Sequence, residues 1–536
     1  MKLIDANICD SHNRERLHNE KTATNKIKTD STYFFKYAKQ SSKSHSSIDP
    51  MRDHNDSLTQ DPKLMCNLLI NQYDSVFSDP IVSKCVDDPV TFFATSTAHN
   101  KLTNIIINED MIIDSIKEIS RNSSAGPDGM PANLFKECGV ELAKPLKKLF
   151  SLSIKNGHVP QSWKDAAIVP IHKGGDRSMP KNYRPISLTS IMMKIFERII
   201  RKQLVNFLNV NNLLNPTQHG FRQGRSCLSA LLYDNILSML SSAKNDSCID
   251  MIYLDYAKAF DKVDHGVLLH KMRDFGICGN LGRWFHSFLS NRTQYVRIPG
   301  GVSDNNIVKS GVPQGTVLGP ILFLILASDI SDNVNCNIIS FAHDTKLYSV
   351  INDPTDSNVL QSNLASIYDW TSKNNMVFNS SKFQYISYTT GKTTNNVYTS
   401  PDLSNIDKST HVKDLGIIMS DNCDFDKHIS NVVKKCSRLC GWILRTFSTR
   451  DATVMLTLFK ALVLPILDYG SQLWSPYKVK HINALERVQR TFTKHISGMN
   501  QRSYHQRLSA LRLYSLQPRR QIYDNIHMEN HRVYGA

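Results

Sequence analysis

The sequence lacks the features that anchor a protein in a membrane or hold it together by disulfides. Its longest apolar run covers residues 321–327, far fewer than the roughly 20 residues that span a bilayer. The N-terminus has no apolar signal-peptide core. The 11 cysteines are scattered, and only Cys436 and Cys440 lie close together, at a spacing typical of core residues on one helix. We therefore expect a reducing compartment, with no disulfide framework, zinc site or membrane partner.

Acidic residues are scarce relative to basic ones. The 536 residues include 64 Lys and Arg against 48 Asp and Glu, a formal net charge of +16. The imbalance is concentrated at residues 431–536, which hold 17 basic and 5 acidic side chains. This excess predicts an anionic partner, with nucleic acid ahead of a membrane surface. The hydrophobic content of 41% excludes wholesale disorder, and the length indicates several domains or one multilobed enzyme.

Apolar periodicity predicts a mixed α/β core followed by a helical C-terminal region. Short apolar runs at 166–173, 250–255 and 337–341 indicate strands, and helical segments separate them. The predicted helices are 62–78, a helix with its N-cap at Asn108, 131–155, 190–209, 321–327, 429–447 and 482–497.

Other stretches are expected to be irregular or locally capped. Residues 1–60 are polar and predict a linker or weakly ordered arm with a short helix near 33–37. Residues 391–410 lack periodicity and predict an exposed loop or hairpin tip. A helix is expected to open at Tyr256, directly after a strand, and a capping box at 448–451 to begin a C-terminal helix.

Three short segments carry the candidate chemistry. Asp255 ends an apolar strand, Gln314 lies between two glycines in residues 311–320, and residues 340–345 follow another strand. Taken singly, they have plainer explanations: a strand-end cap, a glycine-rich strand-to-helix turn and a hairpin turn. Together and in this order, they match motifs A, B and C of a template-copying polymerase. Such a site uses carboxylates from two adjacent strands to hold two Mg²⁺ ions about 4 Å apart.

The ordered motifs resemble those of non-LTR retrotransposon reverse transcriptases of the jockey- or CR1-like LINE kind. The resemblance covers roughly residues 30–530, nearly the whole chain. The matching motifs in chain order are Ala125–Gly129, Val169–Lys173, Asn182–Leu188, Gln218–Arg222, Leu254–Asp261, Gly311–Pro320, Phe341–Leu347, the set Trp370, Asn379 and Lys382, and Asp414–Gly416.

The resemblance implies an α+β right-hand polymerase of fingers, palm and thumb, with a mixed α/β palm and a helical thumb. The domains implied in this way are a polar arm at 1–60, a helical extension and the start of the fingers at 61–160, fingers and palm at 161–420, the thumb at 421–500, and a basic tail at 501–536. Exposed basic rows of the thumb, with aromatic residues such as Trp442, Phe447 and Tyr469, are expected to follow the nucleic-acid backbone.

The resemblance also assigns roles to individual side chains. Asp255, His343 and Asp344 correspond to the catalytic metal ligands. Phe260 corresponds to the residue that excludes a 2′-hydroxyl, and Lys173 and Arg184 correspond to cations that contact the triphosphate. Gln314 and Gly315 correspond to the loop beside the nucleotide and template. Lys382 corresponds to a catalytic lysine that protonates or neutralises pyrophosphate, and Asp261 to a residue of structural support. The plainer alternatives are core packing for Phe260 and solvated surface charge for the cations.

One of these residues departs from the family's pattern. The family's motif C reads Phe-Ala-Asp-Asp, and His343 replaces its first Asp. A neutral imidazole offers one nitrogen lone pair and no negative charge, whereas Mg²⁺ prefers oxygen ligands. We therefore expect strongly reduced or absent polymerase activity. Activity with Mn²⁺, which tolerates nitrogen ligands better, is the milder alternative.

The resemblance thus implies an RNA-directed DNA polymerase that extends a DNA primer or target end along an RNA template. Its cofactor would be Mg²⁺, its substrates dNTPs, and its partners element RNA and DNA. The alternative is a catalytically inactive nucleic-acid-binding relic of the same fold. A group II intron maturase or a telomerase is less favoured, because neither of their additional nucleic-acid-binding domains is recognisable. A nuclear location follows by family analogy only. We expect either that target cleavage comes from an endonuclease outside this chain or that this chain is a fragment of a longer protein.

Overall fold

The chain folds into two compact units. The computed structural model describes the backbone of residues 2–41, 48–53, 55–233, 247–389 and 396–534. We call Ser47–Ala230 with Ser238–Lys408 the central unit, and Met1–Ser46 with Leu231–Leu237 and Ser409–Ala536 the terminal unit. Within the described ranges, none of the helices has the length and apolar character needed to cross a bilayer.

Helices make up most of the regular structure. In chain order, those of the described residues are α1 (Lys2–Asn25), α2 (Ser31–Ser41), α3 (Pro62–Asp74), α4 (Pro89–Ala94), α5 (Glu109–Lys117), α6 (Ala132–Glu137), α7 (Gly139–Asn156), α8 (Gln161–Lys164), α9 (Ile191–Val210), α10 (Cys227–Tyr233), α11 (His265–Asp274), α12 (Gly279–Leu289), α13 (Gly319–Leu326), α14 (Pro354–Lys373), α15 (Asp426–Thr446), α16 (Ala452–Leu458), α17 (Leu464–Asp468), α18 (Ser471–Trp474), α19 (Val479–Lys494), α20 (Tyr504–Leu511) and α21 (Leu516–Tyr534). Each segment predicted as helical by periodicity contains a helix, and Asn108 caps α5 by accepting from Met111 N.

The strands form two five-stranded sheets and two short ribbons. They are β1 (Met51–Arg52), β2 (Leu58–Thr59), β3 (Ala166–His172), β4 (Tyr183–Leu188), β5 (Cys248–Leu254), β6 (Arg292–Ile298), β7 (Gly301–Val302), β8 (Asn306–Val308), β9 (Asn337–Phe341), β10 (Asp344–Ile351), β11 (Gln384–Tyr388), β12 (Asp407–Lys408), β13 (His411–Asp414) and β14 (Ile417–Ser420). Sheet A has the order β12-β11-β5-β10-β9, and sheet B has the order β4-β3-β6-β7 with β8 paired to β6. The predicted combination of helix and sheet is therefore confirmed.

Sheet A is organised around β5, whose sequence is almost continuously apolar. Its residues are buried at every position except Tyr253, and it pairs antiparallel with β10 on one side and β11 on the other. The one charged side chain, Asp250, is buried and accepts hydrogen bonds from Tyr398 Oη at 2.7 Å and Asn396 Nδ2 at 2.6 Å. The expectation of an exposed loop at 391–410 is therefore wrong at Tyr398, which is fully buried; residues 390–395 lie outside the described ranges.

The helical core of the central unit is rich in aromatic side chains. Phe150 of α7 stacks on Phe196 of α9 with ring centroids 4.3 Å apart, and Trp284 of α12 meets Phe196 edge-on at 5.3 Å. All three are fully buried, and each buried side chain of this size contributes about 1.5–3 kcal/mol to stability. This packing anchors α9, which supports the loop before α13 described below.

The polarity of residues 1–60 predicts a weakly ordered arm, but residues 2–41 form the two helices α1 and α2. The short helix expected near 33–37 lies within α2. Within the terminal unit, the buried carboxylate of Glu20 accepts hydrogen bonds from the backbone N–H groups of Ser448 at 2.7 Å and Thr449 at 2.8 Å. Phe34 stacks on the fully buried Phe447 with centroids 5.9 Å apart. These partners lie more than 400 residues away in the sequence, so local composition does not reveal them. The domain boundaries stay a prediction.

Two local predictions are wrong for reasons of backbone geometry. Tyr256 opens turns rather than a helix, because Lys258 has a φ of 55°, outside the right-handed helical region. The next helix, α11, begins only after Asp264, whose side chain accepts from Val267 N. In the terminal unit, Asp451 rather than Ser448 caps α16, by accepting from the first N–H groups of the helix.

The prediction that Cys436 and Cys440 are core residues of one helix is confirmed. Cys436 and Cys440 are both buried in α15. They are free thiols whose pKa burial raises to about 12. They are therefore core residues of one helix face.

Candidate active site

The ends of two neighbouring strands bring three of the predicted site residues together. Asp255 directly follows β5, and the antiparallel register pairs Leu254 with Thr345 of β10. The β9–β10 hairpin carries His343 in its turn and Asp344 at the first position of β10. As a result, one candidate metal-ligand atom from each of Asp255, His343 and Asp344 lies within 4.8 Å of the other two.

A buried glutamine holds the turn that carries His343. Gln218 Oε1 accepts hydrogen bonds from the N–H of Ala342 at 2.7 Å and of Gly220 at 2.8 Å, and Gln218 Nε2 donates to the Ala342 carbonyl at 3.2 Å. Ala342 has a φ of 56°, a left-handed conformation that costs a non-glycine residue roughly 1–2 kcal/mol. A Cβ on Gly220 would lie 2.3 Å from the Ala342 nitrogen. Gln218 and Gly220, known from the sequence only as members of a motif, are therefore positioning residues.

The segment before β11 holds the Asp255 side of the site. Asn379 N donates to the Asp255 carbonyl at 2.9 Å, and Ala257 N donates to the Val377 carbonyl at 2.8 Å. The Lys382 ammonium forms a hydrogen-bonded ion pair with Oδ2 of Asp255. Lys382 therefore lies beside the predicted metal ligands and compensates the charge of one of them.

The donor set of this cluster suits a divalent cation only in part. Asp255 and Asp344 supply the carboxylate oxygens that Mg²⁺ prefers. His343 Nε2 lies 3.9 Å from Oδ1 of Asp344, and His343 Nδ1 is buried without a hydrogen-bond partner among the described residues. A metal-bound histidine almost always donates its other N–H to a partner, so coordination through Nε2 would leave a buried N–H unsatisfied. The cluster is a candidate Asp/His/Asp metal site whose two carboxylates fit an ion better than His343 does.

Phe260 lies next to this cluster. Its half-buried ring stacks on Phe323 of α13 with centroids 5.0 Å apart and meets the ring of His343 edge-on at 6.1 Å. The ring thus combines core packing, the plainer interpretation, with a position beside the candidate metal ligands. Its role in excluding a 2′-hydroxyl stays a prediction.

The loop before α13 is tied to the segment that follows Asp255. Gln314 Nε2 donates to Oδ1 of Asp261 at 2.9 Å, and the Gln314 carbonyl accepts from Ser187 N of β4 at 2.7 Å. Gly315 has a φ of 106°, and a Cβ there would lie 2.9 Å from the Ser187 carbonyl oxygen, so this position requires glycine. Burial raises the pKa of Asp261, and the hydrogen bond from Gln314 opposes that rise. Asp261 therefore supports the loop, as the resemblance implies.

Glu197 of α9 is a supporting residue that sequence reasoning missed. Its fully buried Oε2 accepts hydrogen bonds from Val317 N at 2.7 Å and Leu318 N at 2.9 Å, just before α13 begins. Its burial raises its pKa, while those two backbone bonds and the buried cation of Arg292 oppose the rise. A glutamate within the apolar face of α9 was the available signal, because such a residue is almost never fully buried without a partner.

Lys173 and Arg184 lie at the exposed end of the β3–β4 hairpin. The hairpin register pairs Ile171 with Arg184, and Lys173 N donates to the Asn182 carbonyl at 2.9 Å. Both cations act electrostatically on Asp261 and on Lys258. The structure therefore brings this predicted pair of cations to the same region of the central unit as Gln314 and Asp261.

Comparison with known proteins agrees with this arrangement. The family described as "Reverse transcriptase (RNA-dependent DNA polymerase)" matches residues 171–419. The "Probable RNA-directed DNA polymerase from transposon BS" of Drosophila melanogaster is 26% identical over 398 residues, which cover 72% of this chain and 44% of that protein. The "RNA-directed DNA polymerase from mobile element jockey" of the same species is 28% identical over 374 residues, which cover 66% of this chain and 40% of that protein.

The chain spans less than half the length of these relatives. The matched residues 171–419 contain the whole cluster formed by Asp255, His343 and Asp344, together with Lys382. The order of the motifs, the cluster at the strand ends and the family match agree. The chain contains a reverse transcriptase domain of the kind found in the RNA-directed DNA polymerases of non-LTR retrotransposons.

Proposed function

We propose that this protein is the RNA-directed DNA polymerase of a non-LTR retrotransposon, which extends a DNA primer along an RNA template. The observation that carries the proposal is the convergence of Asp255, His343 and Asp344 at adjacent strand ends of sheet A. In this proposal sheet A is the palm, the β3–β4 hairpin belongs to the fingers, and helices α15–α19 form the thumb. The substrates are dNTPs, and the partners are element RNA and the DNA end that primes synthesis.

The side chains near the cluster have complementary tasks in this reaction. Asp255 and Asp344 would hold the divalent ions, with Mg²⁺ preferred for its affinity for oxygen ligands. When bound, these ions supply activation of the primer 3′-hydroxyl and stabilisation of the leaving pyrophosphate. Phe260 packs under the sugar of the incoming nucleotide and leaves no space for a 2′-oxygen. The loop that carries Gln314 and Gly315 lies beside the incoming nucleotide and the template.

The cations have the second set of tasks. Lys173 and Arg184 pair with the triphosphate, which Arg can contact through two parallel hydrogen bonds. Lys382 starts in an ion pair with Asp255, and we propose that it neutralises the pyrophosphate as the phosphodiester forms.

His343 limits this activity. It contributes no negative charge between the two metal-binding positions, and its unpartnered buried Nδ1 disfavours coordination through Nε2. We expect slow nucleotidyl transfer with Mg²⁺ and partial recovery with Mn²⁺. A nucleic-acid-binding relic without activity is the alternative outcome of the test below.

The test is primer extension on an RNA template by the purified protein and by three variants. We expect His343→Asp to raise the Mg²⁺-dependent rate by at least tenfold, corresponding to about 1.4 kcal/mol of transition-state stabilisation. The double variant H343D/D255A should lose that gain, whereas Asp304→Ala, a control at an exposed carboxylate of the central unit, should change nothing. Equal rates for the wild type and H343D would contradict the assigned effect of His343. No extension by H343D with either ion would instead favour the relic.

Binding of nucleic acid is proposed for the exposed basic face of α15. Its cations Lys427, Lys434, Lys435, Arg438 and Arg445 are all exposed, opposite the buried stripe that contains Cys436. Phe447 is fully buried against Phe34 and is not available as a stacking surface, which corrects the expectation for that residue. Counterion release predicts that affinity for a primer–template duplex falls steeply with salt. The location of the protein at nuclear DNA is proposed by analogy with the family.

A further inference from the structure

We propose that the terminal unit binds single-stranded RNA at a surface made of other residues than the basic face of α15. This surface, which we call the α20 surface, consists of the exposed side chains of Arg490 in α19, Arg502 just before α20, and Arg512 and Tyr514 just after α20. The three arginines would contact phosphates, and the tyrosine ring would stack on a base. The inference rests on the proposed function for the identity of the strand, because RNA is the template there.

The sequence around the α20 surface is rich in cations and lacks carboxylates. Residues 487–523 contain eight Lys and Arg and no Asp or Glu. Arg490, Arg502 and Arg512 are exposed, and none of them forms an ion pair within the described part of the chain. An exposed group of cations of this kind attracts a polyanion such as a nucleic-acid strand.

The carboxylates of neighbouring helices are engaged with cations of the interior. Three of them act electrostatically on the buried guanidinium of Arg520, and these are Glu486, Asp468 and Asp524. Asp468 also forms an ion pair with the half-buried Arg519 at 2.9 Å. The exposed arginines of the α20 surface are therefore left without a carboxylate at ion-pair distance among the described residues.

A buried cation next to the surface adds to its positive charge. Arg507 of α20 is buried, and it donates hydrogen bonds to the carbonyl groups of Arg490 at 3.1 Å and Arg502 at 3.3 Å. These bonds hold together the two backbone segments that carry the exposed cations. The guanidinium groups of Arg490 and Arg507 lie 4.9 and 5.6 Å from the centroid of the Tyr504 ring. Arg507 forms no ion pair among the described residues, and a desolvated cation without a paired anion is unfavourable, so a bound anion would stabilise this arrangement.

The loop between α20 and α21 holds a large ring in solvent. Tyr514 is 66% exposed, while its carbonyl accepts a hydrogen bond from Nε2 of the buried Gln489 at 2.9 Å. Leu516 N donates to the buried carboxylate of Glu486 at 2.9 Å, so α19 fixes the loop at two points. Arg512 has a φ of 51°, which costs roughly 1–2 kcal/mol for a residue other than glycine. A loop fixed in this way loses little conformational entropy when its side chains bind a ligand.

The combination of an exposed ring with unpaired arginines favours a single strand. A lone exposed tyrosine is common on protein surfaces and by itself indicates no site. Single-stranded nucleic acid is bound by cations that follow the phosphates and by aromatic rings that stack on the bases. The bases of a duplex stack on one another and offer no face to Tyr514. We assign the surface to RNA rather than DNA because, in the proposed function, RNA supplies the unpaired template and DNA supplies the primer.

The first test is fluorescence anisotropy of a labelled oligo(A) RNA that binds the purified full chain without divalent ions. We expect Tyr514→Ala to weaken RNA binding by roughly fivefold or more, because a stacked base is lost. Tyr514→Phe keeps the ring and should stay within about twofold of the wild type. The matched control is Tyr477→Ala, which removes an 84% exposed ring whose neighbour Lys478 is paired with Asp424, and it should change nothing. A blunt RNA–DNA duplex should bind Y514A and the wild type equally.

The second test is the salt dependence of RNA binding by the triple variant R490Q/R502Q/R512Q. Each phosphate contact with a single strand contributes about 0.7 to the slope of log K against log salt, so loss of three contacts should reduce the slope by about 2. The matched control replaces three scattered, exposed lysines of the central unit by Gln and should leave the slope unchanged: Lys155, Lys309 and Lys373.

The outcomes separate this proposal from its alternatives. Equal RNA affinities of the wild type and Y514A would overturn it, as would an unchanged salt slope in the arginine variant. An equal loss of duplex binding in Y514A would overturn the assignment to a single strand, and tighter binding of oligo(dA) than of oligo(A) would overturn the assignment to RNA. Because the Tyr514 ring is exposed, we expect Y514A to keep the wild-type Tm. These assays need no catalysis, so a failure of primer extension in H343D tests the polymerase proposal separately.

Discussion

Two loops reach the candidate site, and a buried polar side chain from a helix or loop elsewhere in the central unit supports each of them. The turn that carries His343 is held by Gln218, a neutral amide whose oxygen and nitrogen both hydrogen-bond the backbone. The loop that carries Gln314 is held by Glu197, a carboxylate with one oxygen bonded to two N–H groups. The other oxygen is buried without a hydrogen-bond partner among the described residues.

The two supports therefore perform the same task at different electrostatic cost. An amide carries no net charge and loses little on burial once its hydrogen bonds are made. A buried carboxylate must also be compensated, and here the compensation comes from backbone dipoles and from Arg292. The loop at Glu197 should consequently be sensitive to charge and pH, whereas the turn at Gln218 should be sensitive mainly to the loss of hydrogen bonds.

The largest effect is expected for Glu197→Ala. It leaves two backbone N–H groups unsatisfied and removes a compensating charge from the buried Arg292. Breaking a buried charged interaction of this kind costs about 3–5 kcal/mol. We therefore expect urea denaturation to show a fall of that size in the free energy of unfolding. The matched control is Glu137→Ala, which removes an exposed ion pair to Arg121 and should cost less than about 1 kcal/mol. Similar losses of stability in both variants would show that the buried hydrogen bonds of Glu197 contribute no more than an exposed ion pair does.

A smaller effect is expected for Gln218→Ala. The N–H groups of Ala342 and Gly220 lose their acceptor, at about 1–3 kcal/mol for each buried unsatisfied group. Amide exchange at Ala342 should accelerate because the turn loses its support. Gln203→Ala provides the control, since Gln203 forms a similar pair of bonds to the backbone of Ile106 at an exposed position. The idea fails if exchange at Ala342 responds equally to both substitutions.

The smallest effect should appear when Glu197 is made neutral but isosteric. Burial raises the pKa of Glu197, so the native state holds this proton more tightly than the unfolded chain does. Between the ordinary glutamate pKa of about 4.3 and its higher native value, this group makes the wild type lose stability as pH rises. Glu197→Gln lacks that loss, so its stability relative to the wild type should increase from pH 5 to pH 8. A difference independent of pH would contradict a buried, charged Glu197.

The reciprocal change, Gln218→Glu, tests whether a buried carboxylate also makes stability depend on pH at the turn that carries His343. It places a carboxylate beside the Ala342 carbonyl, and its native pKa should rise for the same reason. We expect a variant that is less stable than the wild type at pH 8 and recovers part of the loss at pH 5, measured by the same urea titration.

Much of the site could be predicted from the sequence because its residues occur in short local patterns. The strand before Asp255, the glycines around Gln314 and the hairpin at His343 each need only a few neighbouring residues to be recognised. Two of the errors occurred where a distant partner decides the structure. Tyr398 is buried because Asp250 accepts its hydroxyl, and residues 2–41 are helical in a unit that includes Glu20 bonded to the backbone near Ser448.

Glu197 illustrates most clearly what cannot be predicted from the sequence. Nothing within α9 identifies its partners, because Val317 and Leu318 lie about 120 residues later in the chain. A single buried charge on an apolar helix face predicts that a partner exists, but not which backbone groups supply it.

The amino acids alone therefore determined which chemical groups are available: two carboxylates, one histidine in place of a third, a set of cations and an aromatic ring beside them. Tertiary structure decided how these groups are combined. It paired Lys382 with Asp255, left His343 Nδ1 buried without a partner among the described residues, and placed the strained Lys258 among cations. The physical reason is that hydrogen bonds and charge compensation depend on distances in space, and antiparallel pairing of β5 and β10 brings together residues that lie about 90 positions apart.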